Sequence, residues 1–555
     1  MHFHHPLFRL VRALVTAGLA VTFPAFARAA ESAEAPARGF APVDWAVVVL
    51  YAGALMAIGF YYARRQTSTE EYFVASRSIA PFLAGISLYA TMFSTLSYIG
   101  NPGEIIRNGP VVLFAGLTAA PILYLIVGYG VIPLIMRQAV TSAYELLETR
   151  LGRGARLLGS GLFVLTRLAW MALMLYTTSL VLVTVMGWNP AWATPLSIAT
   201  GVLTTAYTLT GGLRAVVVSD VVQFFVLLLG AILTLVFVTV TLGGVGAWWP
   251  DGWQPHWQEQ PFFSLDPAVR ATTVGTFVGA IIWWTCTSAA DQMAIQRYLS
   301  TRDAKAARRA FLHNCLGNIV VTTILGLVGL ALLGFYRHHP DLLPRHASLT
   351  QNADALFPHY VSHFLPAGIP GLVMAGLLAA AMSSLSSGIS STITVVSKDF
   401  IEQLWPDSHR TDRDRLRTAH LLGGVIGLIA IAGSQIAGII PGNLIEVMGK
   451  SINLLLCPLF GLFFLALVVP FATPFGAIMG ALYSFGAALL TAYWEPFTGG
   501  GPVSFQWIAP IALVVSLTAS CGFSLLPTRG RSAKVLAGYT AATLAPWGVL
   551  LAAVL

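Results

Sequence analysis

Residues 380–392 carry seven hydroxyl side chains within an otherwise apolar stretch. On a helix, Ala380, Ser383, Ser384 and Ser387 follow an i, i+3, i+4, i+7 pattern and share one face. Hydroxyl oxygens in such a row, beside free carbonyls from a broken neighbouring helix, can replace the water shell of a small hard cation. Transporters place ion sites where half-helices end near the membrane midplane. The same small residues also let membrane helices pack closely, and spacing alone leaves both readings open. A second candidate is Asp220, about two turns into an apolar helix that follows the turn Gly211-Gly212. An ionisable side chain at that depth costs about 2.5–3.5 kcal/mol, which makes it a functional candidate. The alternative is a salt bridge, with Arg214 as the nearby basic group. A third is the segment 90–103, which mixes hydroxyls into an apolar span and closes on Gly100, Pro102 and Gly103. A discontinuous helix here would offer carbonyls to an ion and the hydroxyls of Ser94, Thr95 and Ser97 to a solute.

These groups have to be positioned inside a membrane. Of 555 residues, 56% are hydrophobic and only 10% charged, against about 25% charged in soluble domains. Apolar stretches long enough to span a bilayer recur along the chain, and they lack the alternation of barrel strands. The expected fold is an all-α polytopic bundle of about fourteen transmembrane helices with both termini outside. Basic residues fall in the expected inner loops, for example Arg150, Arg153 and Arg156, and Arg297, Arg302, Lys305, Arg308 and Arg309. That distribution, rather than nucleic-acid binding, explains the net charge of +8. The four cysteines lie in apolar segments with no metal-ligand spacing, and six histidines from His313 to His363 lie near loops. No nucleophile motif or metal cluster points to an enzyme, and no cofactor is implied.

Residues 1–29 resemble a signal or targeting segment, with 30–42 as a linker. An extra span and inner loop occupy 43–80, and an outer loop with four tryptophans occupies 244–270. Those tryptophans read as an interfacial belt, with a lid as the alternative. Two charges fall inside expected spans. Arg167 either faces an anionic solute or snorkels to the inner surface, and Lys450 either faces the solute or pairs with Glu446.

Four ordered motifs resemble the sodium:solute symporter family, which includes sodium–glucose, proline, sialic-acid and monocarboxylate transporters. They are 71–78, 211–223, 291–298 with Arg308-Arg309, and 380–392 with Lys398-Asp399. The resemblance implies a leucine-transporter-type inverted five-helix repeat, with halves at 81–243 and 271–470 and three further spans in 471–555. It also implies a main sodium site on the carbonyls of Ala90, Phe93 and Ala380 and the hydroxyls of Ser383 and Ser384. A second sodium site, present in some members, would map onto Asp220, Ser383, Ser386 and Ser387. At the substrate positions this sequence has Met92, Thr287 and Trp170, departing from the sugar and sialate patterns. The expectation is therefore a sodium-coupled symporter importing a small organic anion such as a monocarboxylate, by alternating access. Sugar or polyol symport and proton coupling are the alternatives. The expected setting is a bacterial-type inner membrane, with Na+, the solute and the lipid bilayer as partners and a monomeric or weakly homo-oligomeric state.

Overall fold

The computed structural model describes residues 40–554, apart from 67, 139, 258, 345–346, 405–410, 438–443, 502 and 529–532. The targeting segment and most of the linker lie outside these residues, as do the side chains of 444–453, which include Glu446 and Lys450.

All regular secondary structure among the described residues is helical. Leaving aside the short helices, the chain begins with α1 (Pro42–Ala63), α2 (Pro81–Met92), α3 (Thr95–Asn108), α4 (Val111–Met136, in joined pieces) and α5 (Glu145–Val185). Next come α6 (Ala193–Thr241), α7 (Thr273–Ala290), α8 (Gln292–Leu299), α9 (Ala304–His338) and α10 (Ile369–Val395). The last are α11 (Asp412–Ala437), α12 (Leu444–Val468), α13 (Pro474–Ala492), α14 (Ile508–Ser524) and α15 (Ala533–Val554).

Ten of the described helices are long and apolar enough to cross a membrane, or eleven if a bent pair is one span. The expected fourteen differs from this for physical reasons. At 1.5 Å per residue a 49-residue helix is about 74 Å long, more than twice the apolar thickness of a bilayer. The run α6 is two crossings joined at Gly212, whose φ of +58° favours glycine. A Cβ there would also sit 2.7 Å from Gln66 Nε2. The other expected crossings would be the pair α2–α3, with α12 and α15, none of which is by itself long and apolar enough among the described residues.

Two spans are interrupted. Phe93 and Ser94 are extended between α2 and α3, and the Ser94 hydroxyl accepts from the Ser97 amide to start α3. Asp291 is extended between α7 and α8 and caps α8 through the Met293 amide, at 2.8 Å. These are the second and seventh crossings, so they run in opposite directions, as an inverted five-helix repeat of the leucine-transporter type requires.

The extra span α1 is anchored by one carboxylate. Asp44 is buried and accepts from the amides of Ala41 (2.9 Å), Gly368 (2.8 Å) and Gly371 (2.8 Å). Hydrogen bonds to a charged group are worth about 1.5–3 kcal/mol each. Asp44→Ala should therefore lower the thermal unfolding midpoint in detergent clearly, while Asp44→Asn, keeping one acceptor oxygen, should lower it less.

In the outer loop, the four tryptophans divide. Trp249 and Trp253 are exposed, as interfacial residues would be. Trp248 and Trp257 are buried, and Trp257 Nε1 donates to the carbonyl of Ile106 at 3.0 Å. The loop thereby packs over the end of α3.

Candidate functional site

The first break frees the carbonyls at the end of α2, and the serine face of α10 lies against them. Ser383 Oγ donates to the carbonyls of Ala90 (2.8 Å) and Ala380 (3.2 Å). Ser384 Oγ donates to the carbonyls of Thr91 (2.9 Å) and Phe93 (3.2 Å). All five residues expected to hold sodium are buried together, with Thr91 added to the cage. The oxygens are neutral, hard and drawn from both helices, which is the donor chemistry that small hard cations prefer.

Asp220 has no exposed surface. Its Oδ2 accepts from Ser87 (2.6 Å), Thr91 (3.4 Å) and Ser387 (3.4 Å), and Oδ1 has no hydrogen-bond partner. Its counter-ion is Arg297 on α8, at 3.3 Å, and not Arg214. Arg214 instead reaches Glu71 at 2.7 Å. Arg297 is equally buried and also donates to Ser87 (3.3 Å), Thr91 (3.2 Å) and Ser387. The structure therefore brings Asp220 and Ser387 together. It does not add Ser386, whose hydroxyl turns to the carbonyl of Ser383 at 3.1 Å in its own helix.

Arg297 corrects the sequence reading, which counted it among the inner-loop charges. Every residue of α8 is buried, but its polar composition hides that from hydropathy. The usable signal was a basic residue two turns beyond an apolar span, within reach of an intramembrane aspartate.

Between the two breaks lies a cavity of about 340 Å³, within the lower range for small-ligand sites. Ser94 and Ser97 line it from the first break, Trp170 from α5 and Thr287 from α7, which brings four of the six residues named for the solute into one cavity. Thr95 does not line it. Its hydroxyl donates instead to the carbonyl of Leu377 at 3.0 Å and accepts from Thr178, because one step along α3 turns it toward α10 and α5.

Arg167 also lines the cavity, pairing with Asp291 over the face of Phe163. It is thus held inside the bundle and does not snorkel. Its Nε and the hydroxyl of Thr287 are buried without partners. The second break is further tied to α5 and the segment before it. Tyr144 donates to the carbonyl of Ala290 at 3.3 Å, while Gln292 accepts from the Ala143 amide (2.7 Å) and donates to the carbonyl of Thr141 (3.3 Å).

Comparison with known proteins follows this geometry. A model of the sodium:solute symporter family matches residues 72–484. The sodium/sialic acid symporter of Aliivibrio fischeri is 30% identical over 461 residues, covering 82% of this chain and 88% of its own. The sodium-dependent multivitamin transporter of Oryctolagus cuniculus is also 30% identical, with coverages of 82% and 70%. The sodium-coupled monocarboxylate transporter 1 of Homo sapiens is 28% identical, with coverages of 80% and 73%. Among solved structures, the substrate-bound outward-open state of a Na+-coupled sialic acid symporter matches with a TM-score of 0.75 at 25% identity, covering 87% of this chain and 98% of that one. A multi-pass helical bundle with two opposed broken spans, moving a small solute together with Na+, is a transporter and not an enzyme, and this chain belongs to the sodium:solute symporter family.

Proposed function

We propose that the protein imports a small organic anion, with a monocarboxylate as the simplest case, by alternating access with sodium bound in the Ala90–Phe93–Ala380–Ser383–Ser384 cage. The observation that carries the anion is Arg167. It is the one basic side chain among the described residues lining the cavity, and its Nε has no partner. A carboxylate can take the free edge of the guanidinium by a charge-assisted hydrogen bond. Ser94, Ser97 and Thr287 offer hydroxyls, and the remaining wall is largely apolar. Relatives named for monocarboxylates and for sialic acid, both anionic, support the same reading. The setting we infer is an inner membrane with both termini outside.

The coupled ion belongs in the first cage. Asp220 already has a whole guanidinium against it, so a second sodium there would set two positive charges against one carboxylate with no exposure to water. One sodium with a monoanion moves no net charge, and the sodium gradient alone then drives uptake. A second sodium would add about 2.3 kcal/mol of drive per 100 mV.

Purified protein in liposomes tests this, with sodium or potassium outside and a panel of monocarboxylates, sugars, polyols, amino acids and sialate. Uptake of a carboxylate that requires sodium and carries no current is expected. Arg167→Gln should raise the carboxylate KM about tenfold or more, the loss of one charge-assisted bond. Uptake of sugars alone, or uptake following a proton gradient without sodium, would sink the reading. A current of one charge per carboxylate would restore the second sodium.

A further inference from the structure

The first turns of α9 carry Lys305, Arg308 and Arg309, and none of the three forms an ion pair among the described residues. The nearest carboxylate in sequence, Asp303, is engaged with Arg302 at 3.1 Å and caps the helix through the Ala306 amide at 2.7 Å. Lys305 and Arg309 are exposed, and so are Leu312, Leu316 and Val320 further along the helix. The spacing i, i+4, i+7, i+11, i+15 puts all five on one face. Two neighbours wall that face. On one side the Arg308 stem lies along Gly128 of α4, where a Cβ would stand 3.2 Å from its Cγ, and its guanidinium sits 4.2 Å over the exposed ring of Tyr129. On the other side a Cβ on Gly85 of α2 would stand 2.7 Å from His313 Cβ, and the exposed ring of Phe82 meets His313 edge-on at 5.5 Å. The strip between the walls is basic at one end and apolar along the rest. Its apolar part, Leu312 to Val320, is about 12 Å long, within half of a hydrocarbon core about 30 Å thick.

We propose that this face of α9 binds one anionic phospholipid, its phosphate held by Lys305 and Arg309 and its acyl chains laid along Leu312, Leu316 and Val320. Under the orientation inferred above, the lipid belongs to the inner leaflet. Charge and apolarity select this occupant together. A soluble anion would use the cations but leave the apolar strip uncovered. A zwitterionic lipid would cover the strip but bring a cation of its own to cations that already lack partners. Basic residues at the inner ends of membrane helices attract anionic headgroups at that depth, and Tyr129 and Phe82 flank them as interfacial aromatics do. Not every basic helix end offers this. α11 also begins with exposed Arg413 and Arg417, but Asp412 and Asp414 stand beside them in sequence and offset their charge. The proposed lipid site lies on the outside of the bundle and uses no residue of the sodium cage or the solute cavity. It therefore stands or falls independently of the function proposed above.

The test titrates full-length purified protein in detergent with phosphatidylglycerol or phosphatidylcholine of matched chain length. Native mass spectrometry counts the lipids retained, and thermal unfolding gives a second readout. One phosphatidylglycerol should be retained in preference to phosphatidylcholine. Lys305→Gln/Arg309→Gln should weaken its binding about thirtyfold, roughly fivefold per charge removed. Lys305→Arg/Arg309→Lys keeps both charges and should bind within about twofold of the parent. Arg413→Gln/Arg417→Gln removes the same charge elsewhere and should leave the retained lipid in place. Sodium-dependent thermal shifts should match the parent in all three variants, so that lost lipid reports this face and not a damaged fold. Equal retention of phosphatidylcholine overturns the proposal, as does undiminished binding by Lys305→Gln/Arg309→Gln. Equal weakening by the two charge-removing variants would mean diffuse attraction to the whole basic side, and also overturns it. Glycerol phosphate, the headgroup without chains, should not raise the unfolding midpoint. If it stabilises the protein as much as the lipid does, the face takes a free anion and the lipid reading falls.

Discussion

Arg297→Met alone is expected to destabilise the protein by about 3–5 kcal/mol, the range for breaking a buried ion pair from one side. Asp220 would keep its charge with no counter-ion, and Ser87, Thr91 and Ser387 would lose their shared donor. Asp220→Asn should be costly for the mirror reason, since it strands a guanidinium that has no exposed surface. The double variant Asp220→Asn/Arg297→Met removes both charges together and should recover most of the loss, because neutral replacement of a whole buried pair is often close to neutral. Thermal unfolding of the three variants in detergent measures this as a double-mutant cycle. Additive losses would mean that the two side chains act independently, contrary to the 3.3 Å contact between them. The pair ties α6 and α8 together, and its hydroxyl partners add α2 and α10. Four helices from both halves of the bundle thus converge on one neutral cluster.

Ser384→Ala should weaken sodium binding about ten- to a hundredfold, the equivalent of one lost ligand to a charged group. Its hydroxyl serves two roles at one place. Without an ion it donates to the carbonyls of Thr91 and Phe93, closing the end of a helix that the break leaves open. With an ion, the same oxygen turns a lone pair inward. Ser384→Thr keeps the hydroxyl and should retain most of the affinity, and Ser383→Ala should match Ser384→Ala because Ser383 holds Ala90 and Ala380 in the same way. Sodium-dependent thermal shifts report these affinities without any solute. Unchanged shifts in both alanine variants would remove the ion from this cage.

The bundle was legible because it rests on local pattern, whereas spacing alone left the serine face open between ion binding and close packing, and the proposed cage came from the family resemblance. A row of small hydroxyl residues at helical spacing and a paired-glycine turn need no partner to be recognised. The position of the first break was less legible. Gly100, Pro102 and Gly103 look like the interruption, yet α3 runs through all three to Asn108. The chain opens earlier, at Phe93 and Ser94, where a hydroxyl cap starts a new helix. Gly103 has a packing reason instead, since a Cβ there would stand 2.7 Å from the backbone of Asp354. Partners across the bundle were the hardest to read. Asp220 was visible as a buried charge, but the nearest basic residue in sequence, Arg214, belongs to Glu71. Its true partner lies 77 positions away in a helix too polar to look buried. Pairing at that range is set by how broken helices cross, which composition does not record.

Ala290, Asp291 and Gln292 are fastened to α5 and the segment before it by Tyr144, Arg167, and Thr141 with Ala143. Three tethers on three adjacent residues hold the second break against α5, so any swing of α7 or α8 about that break has to release all three. On the proposed reading, an anion at the free edge of Arg167 would share the guanidinium with Asp291 and so loosen the middle tether. Under the proposed symport, passage inward would then depend on cargo being aboard. A turnstile built this way wastes little of the gradient that drives it.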